Sequence, residues 1–441
     1  MQTDDSMRNG GNVQTGSGAR NGTARNGTAR NGTARNGTGV RYDAVVVGAG
    51  PAGSIAALVL ARGGARVALV DKAAFPRDKA CGDLVGPHGV QVLTDLGLTV
   101  PDAGVASDMM AVGPSGNRSR LPAFPGRTYP GHGLIIPRLA FDHSLRESAL
   151  AAGAAGVKAR VTAVDRDDDG QVRAVITSGG QRLAADVIVG ADGSLSPVAR
   201  LAGLLNPGGA LWGFAVRAYV PGDVPLPLLV SLDSRPWHLY PGYGWLFPGA
   251  DGQANVGIGL GLGRTRRSTP LRDDLTRFCA LLRHHHDLAA SAEPGPVIGG
   301  WLQMGGYGTA AARGNVLLAG DAAGLINPLQ GEGIAQAMVS GRLAAESILA
   351  APGEAAARYT AALTGIFAPY AQGAATLQRA MISHPRAASL TLRAFTAPGA
   401  RRLIASTWSL YWNGLADGAV PRPAALAARA IQSATARAAR R

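Results

Sequence analysis

The sequence predicts an α/β fold with three parts: a Rossmann-like domain, an inserted domain that contains a mainly antiparallel β-sheet, and a C-terminal helical region. An apolar strand at 42–47, a glycine turn and a helix that ends near Arg62 open a βαβ unit. Similar strand–turn segments recur near Val187 and Val316, on both sides of a strand-like stretch at 211–263. The inserted domain is therefore predicted to interrupt the first. The predicted boundaries are 41–110, 136–205 and 301–352 for the first domain, 111–135 and 206–300 for the inserted domain, and 353–441 for the helical region.

The remaining elements are read from short apolar runs and from helical periodicity. The glycine run from Gly257 to Gly263 resembles a nucleotide-binding loop, but no helix follows it, so it is predicted to be a strand and turn. His284, His285 and His286 point in different directions on a helix, without a partner at ligand spacing, so no metal site is predicted. Strands are predicted at 67–70, 157–164, 172–177, 187–189 and 316–319, and helices at 52–62, at 333–349 and from 354 onward.

Residues 1–40 are predicted to be a disordered tail. They repeat an Arg-Asn-Gly-Thr-Ala pentad from Arg20 and contain few apolar side chains. The net charge of +14 lies mostly at the two ends of the chain. This excess could attract an acidic partner or a membrane surface, or it could be the charge of solvated, arginine-rich ends. Nucleic acid is not an expected partner, because aromatic residues do not interleave with the charge.

Cys81 and Cys279 are too few for a disulfide framework and indicate a reducing compartment. The sequence contains no window of 18 uncharged apolar residues, so no membrane span is predicted. The N-terminus does not resemble a secretory signal. The predicted location is therefore cytoplasmic, with a peripheral position at the membrane as the alternative. A helix around 408–412 could lie on a membrane surface, cover a substrate cavity or form a packed cap.

The segment from Val47 to Gly53 carries a GxGxxG pattern between a strand and a helix. Gly48 permits the turn, Gly50 permits close approach of a pyrophosphate, and Gly53 lets the helix pack closely on the strand. Asp71 ends the next strand, 18 residues after Gly53, where a carboxylate can bind a ribose. This context favours a dinucleotide site over a chance glycine turn.

Two later segments each bring an aspartate to the end of a strand. Asp192 precedes Gly193 and a helix, an arrangement that can contact a hydroxylated cofactor or be an ordinary strand–turn–helix. Asp321 follows Gly320 and precedes small residues, where a flat ring could approach the backbone. A helix N-terminus near Gly333 could stabilise negative charge on such a ring.

The three segments together, in this order and at these separations, resemble the FAD-dependent group that includes aromatic hydroxylases and geranylgeranyl reductases. The resemblance implies that Asp71 binds the adenosine ribose of FAD and that Asp321 binds its ribityl chain. Asp192 would lie in the motif that serves both FAD and NAD(P)H, and Arg138 resembles the arginine near the flavin. The cofactor-binding residues predicted on this basis are Gly48, Gly50, Pro51, Ala52, Gly53, Asp71, Lys72, Arg77, Cys81, Gly82, Arg138, Val164, Asp192, Gly193, Gly320, Asp321, Gly331, Gly333 and Ile334.

Two further stretches resemble the geranylgeranyl reductase family in particular. Cys81-Gly82 matches the family's Cys-Gly segment, and residues 243–248 match its YxWxFP motif. The resemblance implies that Tyr243, Trp245, Phe247 and Pro248 line a cavity for a lipophilic substrate. Read without the family, Cys81 could be a small buried residue and the alternating aromatics could be ordinary core. Leu84, His88 and Gln330 depart from the residues expected near flavin and substrate.

The first functional hypothesis is an FAD-dependent enzyme that reduces carbon–carbon double bonds in an isoprenoid or polyene-like substrate by hydride transfer from flavin N5. Cys81 is the only candidate catalytic residue, as a proton donor. The alternative is a monooxygenase that hydroxylates or epoxidises an apolar natural-product intermediate through a flavin hydroperoxide. A third hypothesis is a non-enzymatic flavin-binding protein. The expected electron donor is NAD(P)H or a reduced protein.

Overall fold

The computed structural model describes residues 40–384, apart from 114–115, 123–124, 126–128, 206–210, 232–241, 250, 264–270 and 306–309, together with Leu426. The predicted tail lies outside the described residues except for Val40, and the aromatic segment at 408–412 lies outside them entirely. The helices are α1 (Pro51–Arg62), α2 (Pro87–Asp95), α3 (Arg138–Ala151), α4 (Pro197–Leu201), α5 (Leu271–His284), α6 (Ile334–Ala350) and α7 (Ala355–Ser383).

Three sheets form the β-structure of the described residues. The first nine strands are β1 (Arg41–Val47), β2 (Val67–Asp71), β3 (Leu84–Val85), β4 (Gly104–Ala106), β5 (Asp108–Val112), β6 (Arg118–Pro122), β7 (Gly133–Ile135), β8 (Ala155–Lys158) and β9 (Val161–Arg166). The others are β10 (Val172–Thr177), β11 (Arg182–Gly190), β12 (Leu211–Pro221), β13 (Leu228–Ser231), β14 (Gly242–Pro248), β15 (Gln253–Gly263), β16 (Ile298–Met304), β17 (Ala312–Arg313) and β18 (Val316–Leu318).

The first sheet confirms the predicted Rossmann-like core. Its main strand order is β17-β18-β11-β1-β2-β8, with β10 and β9 added beside β11. Strand β1 pairs in parallel with both β11 and β2, and β11 pairs in parallel with β18. In this register Val47 lies opposite Gly190, and Gly190 lies opposite Leu318. The loops that carry the glycine turn, Asp192 and Asp321 therefore leave the same edge of the sheet, where ligands bind in such folds.

The second sheet confirms the predicted mainly antiparallel β-sheet, whereas the predicted domain boundaries stay a prediction. Its seven strands run in the order β16-β12-β15-β14-β13-β5-β6, and all neighbours pair antiparallel except β13 with β5. Helix α5 packs against it through the buried Phe278, whose ring would lie 2.4 Å from a Cβ built on Gly244. Strand β14, which carries the aromatic motif, is central in this sheet.

One predicted strand is wrong in extent. The run at 157–164 contains the end of β8 and the start of β9, which are separate strands. Strand β8 pairs in parallel with β2, whereas β9 pairs antiparallel with β10. The chain has to change direction between them, and the segment contains no glycine or proline that signals the change.

Helix α6 packs directly on α1. A Cβ built on Gly341 would lie 2.1 Å from the backbone oxygen of Ala52, so the two helix backbones are in contact. The hydroxyl of the buried Tyr359 in α7 donates to the backbone oxygen of Leu318, 2.6 Å away. This packing fixes the start of α6 beside the glycine turn. Within the described residues, no helix is both long and apolar enough to span a bilayer.

Candidate cofactor and substrate site

Gly48 and Gly53 determine the shape of the turn between β1 and α1. Gly48 has a φ of 103°, and a Cβ built on it would lie 2.2 Å from the backbone oxygen of Ala191. A Cβ on Gly53 would lie 1.7 Å from the backbone oxygen of Gly48. Both positions require glycine, because any larger side chain would overlap backbone atoms that cannot move independently.

The N-terminus of α1 fits a phosphate group. The helix begins at Pro51, and the preceding Gly50 has no side chain with which to cap the first amides. The Arg77 guanidinium lies 3.5 Å from a Cβ position built on Gly50. Unpaired amides beside a cation favour an anion. The residues that fit the pyrophosphate of FAD in this way are Gly48, Gly50, Pro51, Ala52, Gly53 and Arg77.

Asp71 lies at the end of β2, next to the glycine turn. Its Oδ2 accepts a hydrogen bond from the amide of Ala49 (2.7 Å), and its Oδ1 accepts one from the amide of Ala73 (2.8 Å). The carboxylate therefore holds the turn to the end of β2. Its contact with a ribose stays a prediction.

Asp192 caps helix α4 and also lines the cavity beside the turn. It accepts hydrogen bonds from the hydroxyl of Ser196 and from the amide of Val198 (2.9 Å). Burial raises the pKa of Asp192, although the Ser196 hydrogen bond acts in the opposite direction. Asp192 thus has the ordinary strand–turn–helix role and also lines the cavity, while its contact with a cofactor stays a prediction. Lys72 and Gly193 line the same cavity.

Asp321 brings the third segment against the second. Its Oδ2 accepts from Lys79 Nζ (3.1 Å) and from the hydroxyl of Ser194 (3.3 Å). Its Oδ1 lies 3.3 Å from a Cβ position built on Gly333, the residue that precedes α6. Gly320 has a φ of 59°, which turns the chain out of β18 towards this point. The predicted ribityl contact of Asp321 stays a prediction.

Arg138 belongs to a buried ion cluster. Its guanidinium donates from Nε and Nη2 to the two carboxylate oxygens of Asp142, at 2.7 and 2.6 Å. Arg77 Nη1 lies 2.8 Å from the same carboxylate, whose side chain is fully buried. Arg138 lines the cavity, where its charge faces Cys81. Burial raises the pKa of the Cys81 thiol, and the nearby Arg138 partly offsets this rise.

The YxWxFP motif forms an apolar wall of the cavity. Tyr243, Trp245 and Phe247 of β14 all line it, with neighbouring ring centroids 6.1 and 6.4 Å apart. A Cβ on Gly257 would lie 2.1 Å from the Trp245 ring, and a Cβ on Gly82 would lie 2.9 Å from the Phe247 ring. The two glycines therefore make room for the aromatic side chains.

Asn255 holds Trp245 in place through a hydrogen bond. The sequence did not predict this role of Asn255. Its Oδ1 accepts from Trp245 Nε1 (2.9 Å), and its Nδ2 donates to the backbone oxygen of Cys81 and to Asp83 Oδ2, both at 2.8 Å. The hydroxyl of Tyr219 also donates to Asp83 (2.5 Å). Burial raises the pKa of Asp83, against the lowering effect of these hydrogen bonds. The network joins the Cys-Gly segment to the wall of the second sheet.

Glu332 is a second residue that the sequence did not predict. Its side chain lines the cavity, where Oε1 accepts from the amide of Gly86 and Oε2 accepts from Gln336 Nε2, each at 3.2 Å. Burial raises the pKa of Glu332 to about 7, and these hydrogen bonds oppose the rise. The hydroxyl of Tyr243 donates to the backbone oxygen of Gln330, which holds the adjacent loop in place.

The cavity that these groups enclose has a volume of about 580 Å³, within the range of small-molecule sites. Leu84 and Gln330, two of the departures from the family pattern, also line it. Val164 does not line it, because its side chain packs with the core of the first sheet, and Pro248 lies at the end of β14 outside it. The predicted residues that do line the cavity are Pro51, Lys72, Cys81, Gly82, Arg138, Asp192, Gly193, Tyr243, Trp245, Phe247, Asp321, Gly331, Gly333 and Ile334.

Comparison with known families and proteins identifies the family to which the chain belongs. The FAD binding domain family matches residues 41–360. A menaquinone reductase of Mycolicibacterium smegmatis is 36% identical over 313 residues, which are 69% of this chain and 76% of the relative. A digeranylgeranylglycerophospholipid reductase of Methanopyrus kandleri is 31% identical over 320 residues, which are 70% of this chain and 76% of the relative.

Solved structures share the fold at lower sequence identity. A geranylgeranyl bacteriochlorophyll reductase-like protein from Thermoplasma acidophilum superposes with a TM-score of 0.66 and 23% identity, covering 88% of this chain and 96% of its own. A flavin-dependent brominase gives a TM-score of 0.65 and 18% identity, covering 91% and 100%. These two likenesses concern the fold alone.

Proposed function

Because the chain belongs to the FAD-binding domain family and is an FAD-dependent oxidoreductase related to prenyl reductases, we propose that it reduces carbon–carbon double bonds of a lipophilic isoprenoid or polyene-like substrate. The observation that carries this proposal is the shared cavity. Residues that fit FAD and the aromatic wall of β14 open into the same space. When bound, FAD supplies the hydride chemistry of such a reduction.

The chain's own residues bind, orient and dehydrate the substrate in this proposal. Trp245 and Phe247 offer flat apolar surfaces to a hydrocarbon chain and exclude water from it. Asn255 holds the Trp245 ring through its Nε1–H group, so the wall is ordered before the substrate arrives. Arg138 and Lys79 also line the cavity, and each is paired with an aspartate, Asp142 and Asp321 respectively.

We propose two partners besides the substrate. The electron donor is NAD(P)H or a reduced protein that reaches the cofactor transiently, because the part of the chain that the structure describes contains one Rossmann-like sheet. The second partner is a membrane surface that delivers the substrate. Leu195 supports this, since it lines the cavity while 52% of its surface is exposed. The arginines beyond residue 390 would suit anionic headgroups.

The proposal is tested by the product formed with and without oxygen. The FAD-loaded chain is chemically reduced, mixed with a polyprenyl quinone or a geranylgeranyl lipid, and the product is weighed by mass spectrometry. A gain of two hydrogen atoms under anaerobic conditions is expected. A product that forms only with oxygen and gains one oxygen atom contradicts the proposal and supports the monooxygenase alternative. A purified chain without a flavin spectrum would contradict both.

Trp245→Ala is expected to raise the KM for such a substrate at least about tenfold, which corresponds to roughly 1.4 kcal/mol of lost binding. The reason is the removal of the largest side chain of the aromatic wall on β14. FAD content, measured by absorbance per chain, should remain normal. Trp245→Phe retains an apolar ring and should raise KM less. Loss of FAD in Trp245→Ala would show that the side chain is structural instead.

A further inference from the structure

Glu332 places a buried carboxyl group in the wall of the cavity, and the binding of an apolar substrate does not require such a group. Glu332 lies two residues before α6 begins at Ile334, and its carboxyl group lines the cavity together with Tyr243 and Trp245. A carboxyl group in such apolar surroundings is costly to ionise. None of the described arginines or lysines forms an ion pair with it within 4.0 Å. Burial therefore favours the neutral form of the carboxyl group, which can release a proton.

The hydrogen bonds to Glu332 set the direction of its carboxyl group. The amide of Gly86 and the Nε2 of Gln336 donate to its two oxygens from the α2 and α6 sides. A Cβ on Gly86 would lie 2.4 Å from Oε1, so the carboxyl group is held against the backbone at this point. The side chain is therefore placed at the cavity wall in one orientation.

Cys81 is less suited to the same task. Burial raises the pKa of its thiol further above an already high ordinary value, so the thiol releases a proton reluctantly near neutrality. Burial also raises the pKa of the Tyr243 hydroxyl, whose own proton is donated to the backbone oxygen of Gln330. Among the described groups at this wall, Glu332 combines access to the cavity with a pKa near the working pH.

Resting on the reductase function proposed above, we propose that Glu332 is a catalytic residue, the acid that protonates the substrate double bond. The O–H bond of Glu332 breaks as its proton forms a C–H bond at one alkene carbon. The other alkene carbon takes the hydride that the reduced cofactor, oxidised in the step, supplies. The alkene is reduced by two hydrogens, and Glu332 is left as a carboxylate that a proton from water restores.

Other titratable groups share these surroundings and define the controls. Tyr243 and Glu332 interact electrostatically, and Asp321 with its partner Lys79 lies on the far side of Gly333. The titratable or charged groups on the elements around Glu332 are Cys81 and Asp83 before β3, His88 and Asp95 on α2, Tyr243 on β14, Lys79 and Asp321 at the cofactor side, and Arg342 and Glu346 on α6.

The first test compares Glu332→Gln with Glu346→Gln, an exposed glutamate on α6. Anaerobic turnover of a geranylgeranyl lipid should fall by about 10² to 10⁴ in Glu332→Gln, mainly in kcat, and should be unchanged in Glu346→Gln. The wild-type kcat should fall as pH rises through about 7, because the protonated form is lost. Glu332→Gln should lose this dependence.

The second test needs no turnover. In the FAD-free chain, the infrared absorption of a protonated carboxyl group should disappear with a midpoint near pH 7. That component should be missing in Glu332→Gln and present in Glu346→Gln, with FAD binding equal in all three proteins. If wild type reduces the substrate and Glu332→Gln matches it, Glu332 is not the acid, although the reductase function stands. If wild type does not reduce the substrate anaerobically, both proposals fail.

Discussion

Gly48→Ala is expected to yield a chain that retains no FAD and whose free energy of unfolding is lower by at least about 3 kcal/mol. Two costs combine at this position. The φ of 103° is unfavourable for any residue with a Cβ, and the added methyl group would lie 2.2 Å from the backbone oxygen of Ala191. Because β1 and β11 are fixed by their parallel register, the turn cannot move away from Ala191 without breaking that pairing. FAD absorbance per chain and urea unfolding measure the two effects.

Gly64→Ala is the matched control for Gly48→Ala. Gly64 also has a positive φ, 82°, but a Cβ built there has no atom within 4 Å. The control therefore carries the backbone cost of about 1–2 kcal/mol without the overlap. Its FAD content should be normal. Equal stability and equal FAD content in the two variants would mean that the close approach of the turn to Ala191 is unimportant.

The edge of the first sheet could be predicted from the sequence for a physical reason. Parallel strands place their carboxyl ends together, so three strand–turn segments with Gly48, Asp192 and Asp321 had to converge wherever the strands were adjacent. The turn at Gly48 also carries its own signal, because few other residues adopt its conformation. The fold class and FAD-dependent family membership, expected from these segments, are confirmed.

The division at 157–164 could not be predicted in the same way. Strand β8 pairs with β2, whereas β9 pairs with β10. This choice of neighbour makes them separate strands, and it depends on the tertiary structure. A strand-like segment of this kind contains the signal for strand but not for a change of partner. The sequence therefore predicted the presence of strand here and missed its interruption.

The sequence indicated the residues that lie in local strand–turn motifs. It missed Asn255 and Glu332, whose roles depend on partners that are distant in the sequence. Asn255 meets Cys81 and Asp83, which lie more than 170 residues earlier in the chain. Glu332 lies inside a predicted segment, yet its raised pKa follows from burial in a cavity that only the folded chain encloses. Gly86, next to Pro87 at the start of α2, was a usable signal, because its missing side chain makes room for the Glu332 carboxyl group.

Asp142→Ala is expected to lower the free energy of unfolding by about 3–5 kcal/mol, because it leaves buried cations without their counter-charge. Asp142 is fully buried and its two oxygens accept from Arg138, while Arg77 approaches to 2.8 Å. Arg138 is itself only 3% exposed, so water cannot replace the lost carboxylate without opening the protein. The change should also free Arg138 within the cavity and weaken FAD retention, measured alongside urea unfolding.

The control for Asp142→Ala is Asp165→Ala, which removes the partner of an arginine on the surface. Arg182 donates from Nε to Asp165 at 2.9 Å, and about half of each side chain is exposed to solvent. A pair in water gains little from Coulomb attraction, so its loss should cost about 0.2–1 kcal/mol, decreasing with added salt. The cost at Asp142 should change little with salt, because screening ions do not reach it. Similar costs and similar salt dependence in both variants would mean that the Arg138–Asp142–Arg77 cluster is open to water, and that the cavity-lining guanidinium of Arg138 is not held by a buried charge.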